Sequence, residues 1–335
     1  MSDAPVDLLG TIGRTPLVPL TRLFADGGGP RLWAKLESFN PGGSAKDRSA
    51  HAIVAAAWAR GAIGPGSVLV ESSSGNYAVA LARVALLYGV RAVAVVDPRA
   101  NPATVAMVRA LGAEVVCVTE PDAETGDWLA ARLARVRELV ATIPGAVWLD
   151  QYSNTDAVRA HSAGTMAEIV DAVGAPDVVL VATSTTGTIA GCLDLVARRG
   201  LRTRVVAVDA EGSVLFGGRR GARLLSGYGA GVVTALSQGL TPNAVCRVSD
   251  LDAVVAARAL ARREGVLAGA SSGAVVAALA RLRPELGADA RVVLVLHDGG
   301  LPYADTVFDD AWVAETFRIG VHELAALVES FGGVT

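Results

Sequence analysis

Short apolar blocks of two kinds take turns along this chain. Residues 17–20 and 31–37 alternate with a period of two, as half-buried strands do. Runs at 67–71, 91–96, 114–118, 147–149, 177–182, 204–208 and 291–296 are short, rich in valine and bounded by glycine or polar residues, which predicts buried strands. Between them, residues 44–61, 77–88, 102–111, 127–140, 158–173 and 251–264, and the segment after Gly269, carry alanine- and leucine-rich runs that predict helices. Ser44 is expected to cap the first of these, and Ser271 and Ser272 the one after Gly269. A short amphipathic helix is expected at 321–331, for packing or a dimer contact. Regular alternation of strand and helix is the signature of parallel sheets covered by helices on both faces. The alternation fails between 209 and 243, where glycines crowd an irregular stretch; such a segment inside a compact domain is more often functional than idle.

Composition narrows the class. With 335 residues, 52% hydrophobic and 19% charged, the chain can bury a large core and is long enough for two domains. A net charge of -3 and the lack of basic runs interleaved with aromatics argue against a nucleic-acid surface and for small-molecule partners. Cys117, Cys192 and Cys246 are scattered and without CxxC spacing, so they are read as buried small hydrophobes in a reducing compartment, with neither disulfide nor metal. Residues 1–5 lack a signal-peptide pattern, and the most apolar window, 78–96, is broken by Arg83, Gly89 and Arg91. A cytoplasmic location and no membrane span are the expectation.

The candidate chemistry lies in the turns. Asn40-Pro41-Gly42-Gly43-Ser44-Ala45-Lys46-Asp47-Arg48 passes from turn residues into a helix with Lys46 in its first turn. Thr183-Ser184-Thr185-Thr186-Gly187-Thr188 follows a strand and opens a helix, so backbone N–H groups, hydroxyls and the helix dipole combine into an anion site that fits phosphate. GxxxxGK[ST] and an opening GxGxxG are both absent, which argues against a kinase and an NAD enzyme. Ser72-Ser73-Ser74-Gly75-Asn76 supplies a second set of donors, suited to a carboxylate, and the Asn76 amide both donates and accepts. Ser271 and Ser272 form a third hydroxyl turn. His161 and His297 have no mutual spacing and are read as structural. A lysine, a phosphate-holding turn and a hydroxyl for a ring nitrogen are the parts that pyridoxal phosphate requires.

Five motifs then occur in the order seen in the cysteine synthase group: the Asn40 to Arg48 turn, Ser73-Ser74-Gly75-Asn76, Ser184-Thr185-Thr186-Gly187-Thr188, Gly229-Ala230-Gly231 and Gly269-Ala270-Ser271-Ser272-Gly273-Ala274. Over about residues 11–303 the chain resembles these fold type II pyridoxal-phosphate enzymes of β-replacement, the cysteine synthase and cystathionine β-synthase family. The resemblance implies a tryptophan synthase β-like α/β fold of two open, twisted, mainly parallel sheets flanked by helices, with the cofactor between the domains. It implies a smaller domain of residues 1–12 and 40–150 that binds the substrate carboxylate, and a larger one of 13–39 and 151–335 that binds the cofactor phosphate, in a homodimer. Lys46 would form the Schiff base and later act as base at Cα. Asn76 would bond the ring hydroxyl, Ser184, Thr185, Thr186, Gly187 and Thr188 would hold the phosphate, and Ser271 would face the pyridine nitrogen. Ser73, Ser74, Tyr77 and Gln151 fall where the family binds the substrate carboxylate. A β-leaving group departs in this chemistry, and a second nucleophile adds to the resulting aminoacrylate.

Departures point to a narrower branch. The phosphate turn reads Ser-Thr-Thr-Gly-Thr where sulfhydrylases read Gly-Thr-Gly-Gly-Thr, and Tyr77 stands for a small threonine. With Gln151-Tyr152-Ser153-Asn154 and residues 212–218, these features resemble the siderophore-type branch that joins O-phospho-L-serine to L-glutamate on the way to 2,3-diaminopropionate. Tyr152 joins the substrate-binding candidates. A dianionic leaving group would want a guanidinium, and Arg219, Arg220 and Arg223 offer three. A cysteine synthase using O-acetylserine or O-phosphoserine stays open as an alternative, and so does a catalytically inactive regulatory homologue, against which intact Lys46, Asn76 and Ser271 speak.

Overall fold

The computed structural model describes residues 7–24 and 29–333. The reading of the first five residues, and the outermost residues of the expected domain division, lie outside the described part. The first half of the chain runs β1 (Leu17–Leu20), β2 (Arg31–Leu36), α1 (Lys46–Ala59), β3 (Val68–Ser72), α2 (Asn76–Tyr88), β4 (Arg91–Val96), α3 (Pro102–Ala110), β5 (Glu114–Cys117), α4 (Trp128–Thr142) and β6 (Ala146–Val147). The second half runs α5 (Thr155–Ala160), α6 (Ala167–Val173), β7 (Val178–Ala182), α7 (Gly187–Arg198), β8 (Arg204–Ala210), β9 (Ala244–Val248), α8 (Asp250–Glu264), α9 (Ala270–Leu282), β10 (Arg291–Leu296), α10 (Asp310–Phe317) and α11 (Val321–Ser330).

Two sheets result. β1-β2-β10-β7-β8-β9 form a six-stranded sheet and β5-β4-β3-β6 a four-stranded one. Only the β1–β2 pair is antiparallel among the described strands, with Leu17 opposite Lys35. Strands β7 and β10 sit mid-sheet with both faces covered, which is why they read as unbroken apolar runs. Leu294 and Val292 pack on the face covered by α8 and α9, while Val293 and Val295 pack with Ile189 and Cys192 of α7 on the other. The smaller sheet is sandwiched similarly, with Ile53, Val54 and Val84 on one face and Val136 and Leu139 on the other.

Several local expectations change. The helix expected over 158–173 is three pieces: α5, a π-helical segment His161–Met166, and α6. The wide π turn seats the chain against α7, where a Cβ on Gly191 would lie 2.6 Å from His161 Cβ and 2.7 Å from Val158 O. Gly269 caps α9, so Ser271 and Ser272 sit inside the helix and not at its cap. Ser44 comes closer to its expected role, with Oγ accepting the Lys46 N–H at 3.3 Å, although Ala45 holds the cap position. Strand β9 and helix α10 were not legible in the pattern. Cys192 is buried, but Cys117 is exposed because it ends the edge strand β5.

The carboxyl ends of β3, β7 and β10 open on one crevice. Ligands in open parallel sheets bind outside these ends, and here the turns that follow all three strands reach the same cavity. A buried ionic cluster holds α1 to the larger sheet. Arg48 bonds Glu37 at 2.7 and 3.0 Å and Glu168 at 2.7 Å through two nitrogens, and Lys35 Nζ reaches Glu168 at 2.6 Å. Lys46 stands two residues before this anchor.

Candidate active site

The cavity is a narrow one of about 40 Å³ whose walls come from distant parts of the chain. Lys46 enters from the first turn of α1. Surrounding protein desolvates its amine and lowers its pKa below the ordinary lysine value, against the pull of Asp298, so a share of uncharged amine is available as a nucleophile. Opposite lie Ser184, Thr185, Thr186 and Thr188, between the end of β7 and the first turn of α7. Thr186 takes a left-handed backbone, φ 69°, at the helix cap, an uncommon conformation for a threonine that shapes the turn. Neither end of this segment leaves a side-chain cap on the α7 N-terminus, so its free N–H groups stay available to an anion.

Asn76 and Ser271 complete the ring end. Asn76 begins α2 without a side-chain cap, and Ser271 is buried in α9; both line the cavity. Behind them is Asp298, which the pattern analysis missed. Its Oδ2 accepts from Asn76 Nδ2 at 2.8 Å and Tyr303 OH at 2.6 Å, and its Oδ1 accepts from Ser271 Oγ at 3.5 Å. Burial raises the Asp298 pKa, opposed by these hydrogen bonds and by Lys46. The available signal was a carboxylate two residues after the apolar run of β10, just past the end of a central strand.

His161 ties two walls together. Its Nε2 lies 3.0 Å from Ser49 Oγ on α1 and 3.3 Å from Thr188 Oγ1 on α7, and Nδ1 lies 3.0 Å from Thr165 Oγ1. Burial, then the nearby Arg48 and Lys46, hold its pKa well below the ordinary value, so the ring is neutral. This agrees with a structural reading of His161. His297 lines the cavity, and burial lowers it to about 3, so it too is neutral.

The other substrate candidates divide into groups. Ser73 and Ser74 occupy the turn between β3 and α2, and Arg132 NH1 reaches Ser74 Oγ at 3.4 Å while its Nε stands 3.2 Å from Asp97. Gln151 donates to the Ser72 carbonyl at 3.0 Å, and Tyr152 OH approaches the same carbonyl at 3.4 Å. Tyr77 is buried beside Glu71 and Asp150; desolvation there pushes its pKa well up, and pushes Glu71 up to about 8. Arg132 is close enough to oppose the rise of Tyr152, which burial takes to about 12. Arg132 was not singled out in sequence because it is one of three arginines on α4 and nothing in the spacing separates it.

The three expected phosphate arginines are not brought to this cavity. Arg219 and Arg220 line a separate open cleft with Glu211 and Arg247, and Arg220 is held by Asp127 at 3.0 Å and the Gly231 carbonyl at 2.5 Å. Arg223 is half-buried against Gly229 and Gly231. The segment that leads to them passes through Phe216, which takes a left-handed backbone with φ 50°.

A desolvated lysine, a donor-rich turn for a phosphate and a polar ring end fit pyridoxal phosphate. Residues 8–298 match the model of the family described as pyridoxal-phosphate dependent enzyme. The chain belongs to this family. It is a β-replacement transferase of fold type II. It is 44% identical over 308 residues to N-(2-amino-2-carboxyethyl)-L-glutamate synthase of Ralstonia nicotianae, covering 92% of this chain and 90% of the relative. The enzyme of the same name from Cupriavidus metallidurans is 42% identical over 325 residues, 96% of this chain and 95% of that one. Among solved structures, the O-acetylserine dependent cystathionine β-synthase of Helicobacter pylori superposes with a TM-score of 0.81 at 26% identity, covering 91% of this chain and 99% of that one.

Proposed function

We propose that the enzyme replaces the β-substituent of O-phospho-L-serine with L-glutamate, giving N-(2-amino-2-carboxyethyl)-L-glutamate, a precursor of 2,3-diaminopropionate for a siderophore or related product. The observation that carries this reading is the similarity to two synthases of that name over at least nine-tenths of the chain. Bound, the cofactor supplies an electron sink for the substrate Cα. Lys46 joins it and moves the Cα proton. Ser184, Thr185, Thr186, Gly187 and Thr188 hold the cofactor phosphate, Asn76 the ring hydroxyl and Ser271 the ring nitrogen. Ser73, Ser74 and Gln151 receive the substrate carboxylate, with Tyr77 and Tyr152 behind them.

A phosphate leaving group needs a guanidinium, and Arg132 is the one beside Ser74. In this reading it takes the role expected of Arg219, Arg220 and Arg223. The reading also takes the enzyme to be a cytoplasmic homodimer; light scattering tests the oligomer. One assay tests the reaction: loaded enzyme is incubated with O-phosphoserine or O-acetylserine and with glutamate or sulfide, and products are weighed by mass spectrometry. The glutamate adduct from O-phosphoserine is expected. Cysteine alone would reject the assignment in favour of a cysteine synthase.

A further inference from the structure

The smaller sheet runs out of backbone pairing just where the substrate turns begin. β6 meets β3 through two residue pairs, Val68 with Ala146 and Leu69 with Val147. Beyond them the chain turns at Asp150, whose φ is 49°, and the ladder no longer holds Gln151 and Tyr152. Glu71 takes over from the ladder. It is 2% exposed, and its Oε1 accepts from Trp148 Nε1 at 3.0 Å and from the Ser72 N–H at 2.9 Å, while its Oε2 accepts from the Gln151 N–H at 3.2 Å. The carbonyl of Ser72 accepts from Gln151 Nε2 at 3.0 Å and from Tyr152 OH at 3.4 Å. Two consecutive residues at the end of β3 thereby clasp the segment 148–152, and Ser73 and Ser74 follow them directly. Burial raises the Glu71 carboxyl to about 8, so at neutral pH it is mostly uncharged, still accepts, and needs no counter-ion inside the domain. Beside it the Tyr77 hydroxyl is buried and has no hydrogen-bond partner among the described residues. Buried donors are ordinarily paired, so this one points to a ligand oxygen.

We propose that Glu71 is a positioning residue that sets the Gln151-Tyr152 turn against the Ser73-Ser74 turn, so that their donors converge on one substrate carboxylate. The inference rests on the reading of Ser73, Ser74 and Gln151 as the carboxylate contacts. Glu71 does not line the cavity and acts through the two turns. The geometry explains why an acid stands here and not an amide. Three N–H groups converge on the side chain, and both of its oxygens accept. A glutamine offers one accepting oxygen, so its NH2 group would face either the Gln151 N–H or the pair on Oε1, donor against donor. One buried N–H would then lose its acceptor, at the edge of the substrate site. Lys46, the 184–188 turn and Ser271 lie on other segments, so the effect falls on the substrate and not on the cofactor.

The test is Glu71→Gln in the cofactor-loaded enzyme, read first without turnover. L-Alanine carries the α-carboxylate but no leaving group, and its Kd is measured from the change in the cofactor's visible absorbance. That Kd and the KM for O-phosphoserine are both expected to rise about tenfold, the factor that follows from leaving one buried N–H unpaired, while the cofactor Kd stays within about twofold. An unchanged alanine Kd would overturn the proposal. So would a cofactor Kd that rises in step with it, because Glu71 would then serve the fold in general. Gln151→Ala separates this inference from the reading beneath it. No rise in the alanine Kd there would reject Gln151 as a carboxylate contact, whereas a rise there beside an unchanged value in Glu71→Gln overturns the present inference alone. Should Glu71→Gln fail to fold, Trp148→Phe removes one donor from Oε1 and loosens the same clasp. A rise of about threefold in the alanine Kd at an unchanged cofactor Kd is then expected, and no rise overturns the proposal.

Discussion

Arg48 offers the sharpest physical test of how the catalytic helix is held. Its guanidinium is 5% exposed as a side chain, Glu37 is fully buried and Glu168 is 22% exposed. Arg48→Met keeps much of the apolar stem and leaves Glu37 with only the Thr15 hydroxyl at 3.0 Å and the Asn40 amide at 3.0 Å, while Glu168 keeps Lys35. Breaking a buried pair from one side costs roughly 3–5 kcal/mol, because the remaining charge stays desolvated. Unfolding entropy of about 2.1 cal/mol/K per residue gives about 0.7 kcal/mol/K for 335 residues, so the unfolding midpoint should fall by about 4–7 °C. Circular dichroism on the cofactor-free protein reads this directly. Adding Glu37→Gln removes the stranded charge and should recover part of the loss. The pH dependence supplies a second check. Burial pushes the Glu168 carboxyl up, but bonds from Arg48 and Lys35 outweigh it and hold the pKa at about 2, below the ordinary 4.5. A depressed folded-state value means stability that is present above about 4.5 and is lost as pH falls toward 2. That acid-sensitive component should shrink in Arg48→Met. A midpoint within about 1 °C of wild type at neutral pH would refute the claim that this cluster anchors α1.

Three further outcomes follow from the site. Lys46→Ala should abolish turnover and the visible absorbance of the lysine-bound cofactor; retention of both would overturn the assignment of Lys46. Arg132→Ala should raise KM for O-phosphoserine at least tenfold more than for O-acetylserine, as loss of a charged hydrogen bond predicts, whereas the same change at Arg219, Arg220 or Arg223 should leave the ratio near one; equal effects at Arg132 on the two donors would remove it from the leaving-group site. Gly191→Ala places a methyl on His161 and the Val158 carbonyl, so it should destabilise the protein by about 1–3 kcal/mol and weaken cofactor binding through the displaced phosphate turn; unchanged thermal and cofactor titrations would show that α7 moves freely.

The fold was legible where burial dominates. β7 and β10 are covered on both faces, so only apolar side chains fit, and the run itself announces the strand. β9 lies at the sheet edge with four of its five residues partly exposed, so it tolerates Cys246 and Arg247 and carries no such mark. The π segment was illegible for another reason. Its residues suit a helix, and what widens the turn is contact with α7 and Arg48, where Gly164 and Gly191 leave room for groups from elsewhere in the chain.

The site divides along the same line. Lys46, Asn76, the 184–188 turn and Ser271 announce themselves because backbone donors, hydroxyls and glycine at a strand-to-helix turn form a local pattern, and the structure brings all of them to one cavity. Asp298 and Arg132 are brought to the site by the fold: Asp298 carries only its place after a central strand as a local mark, and Arg132 carries none. A charged residue in a sequence is solvated by default; only the fold reveals that Asp298 is enclosed by Asn76, Ser271 and Tyr303, contributed by three separate segments. The arginines at 219–223 show the converse case. They have the right chemistry and a suggestive glycine-rich setting, yet Arg219 and Arg220 line a different cleft. Residue type thus proposes the chemistry of this site, long-range enclosure decides which charged groups lie near it, and whether Arg132 takes part is what its variant measures.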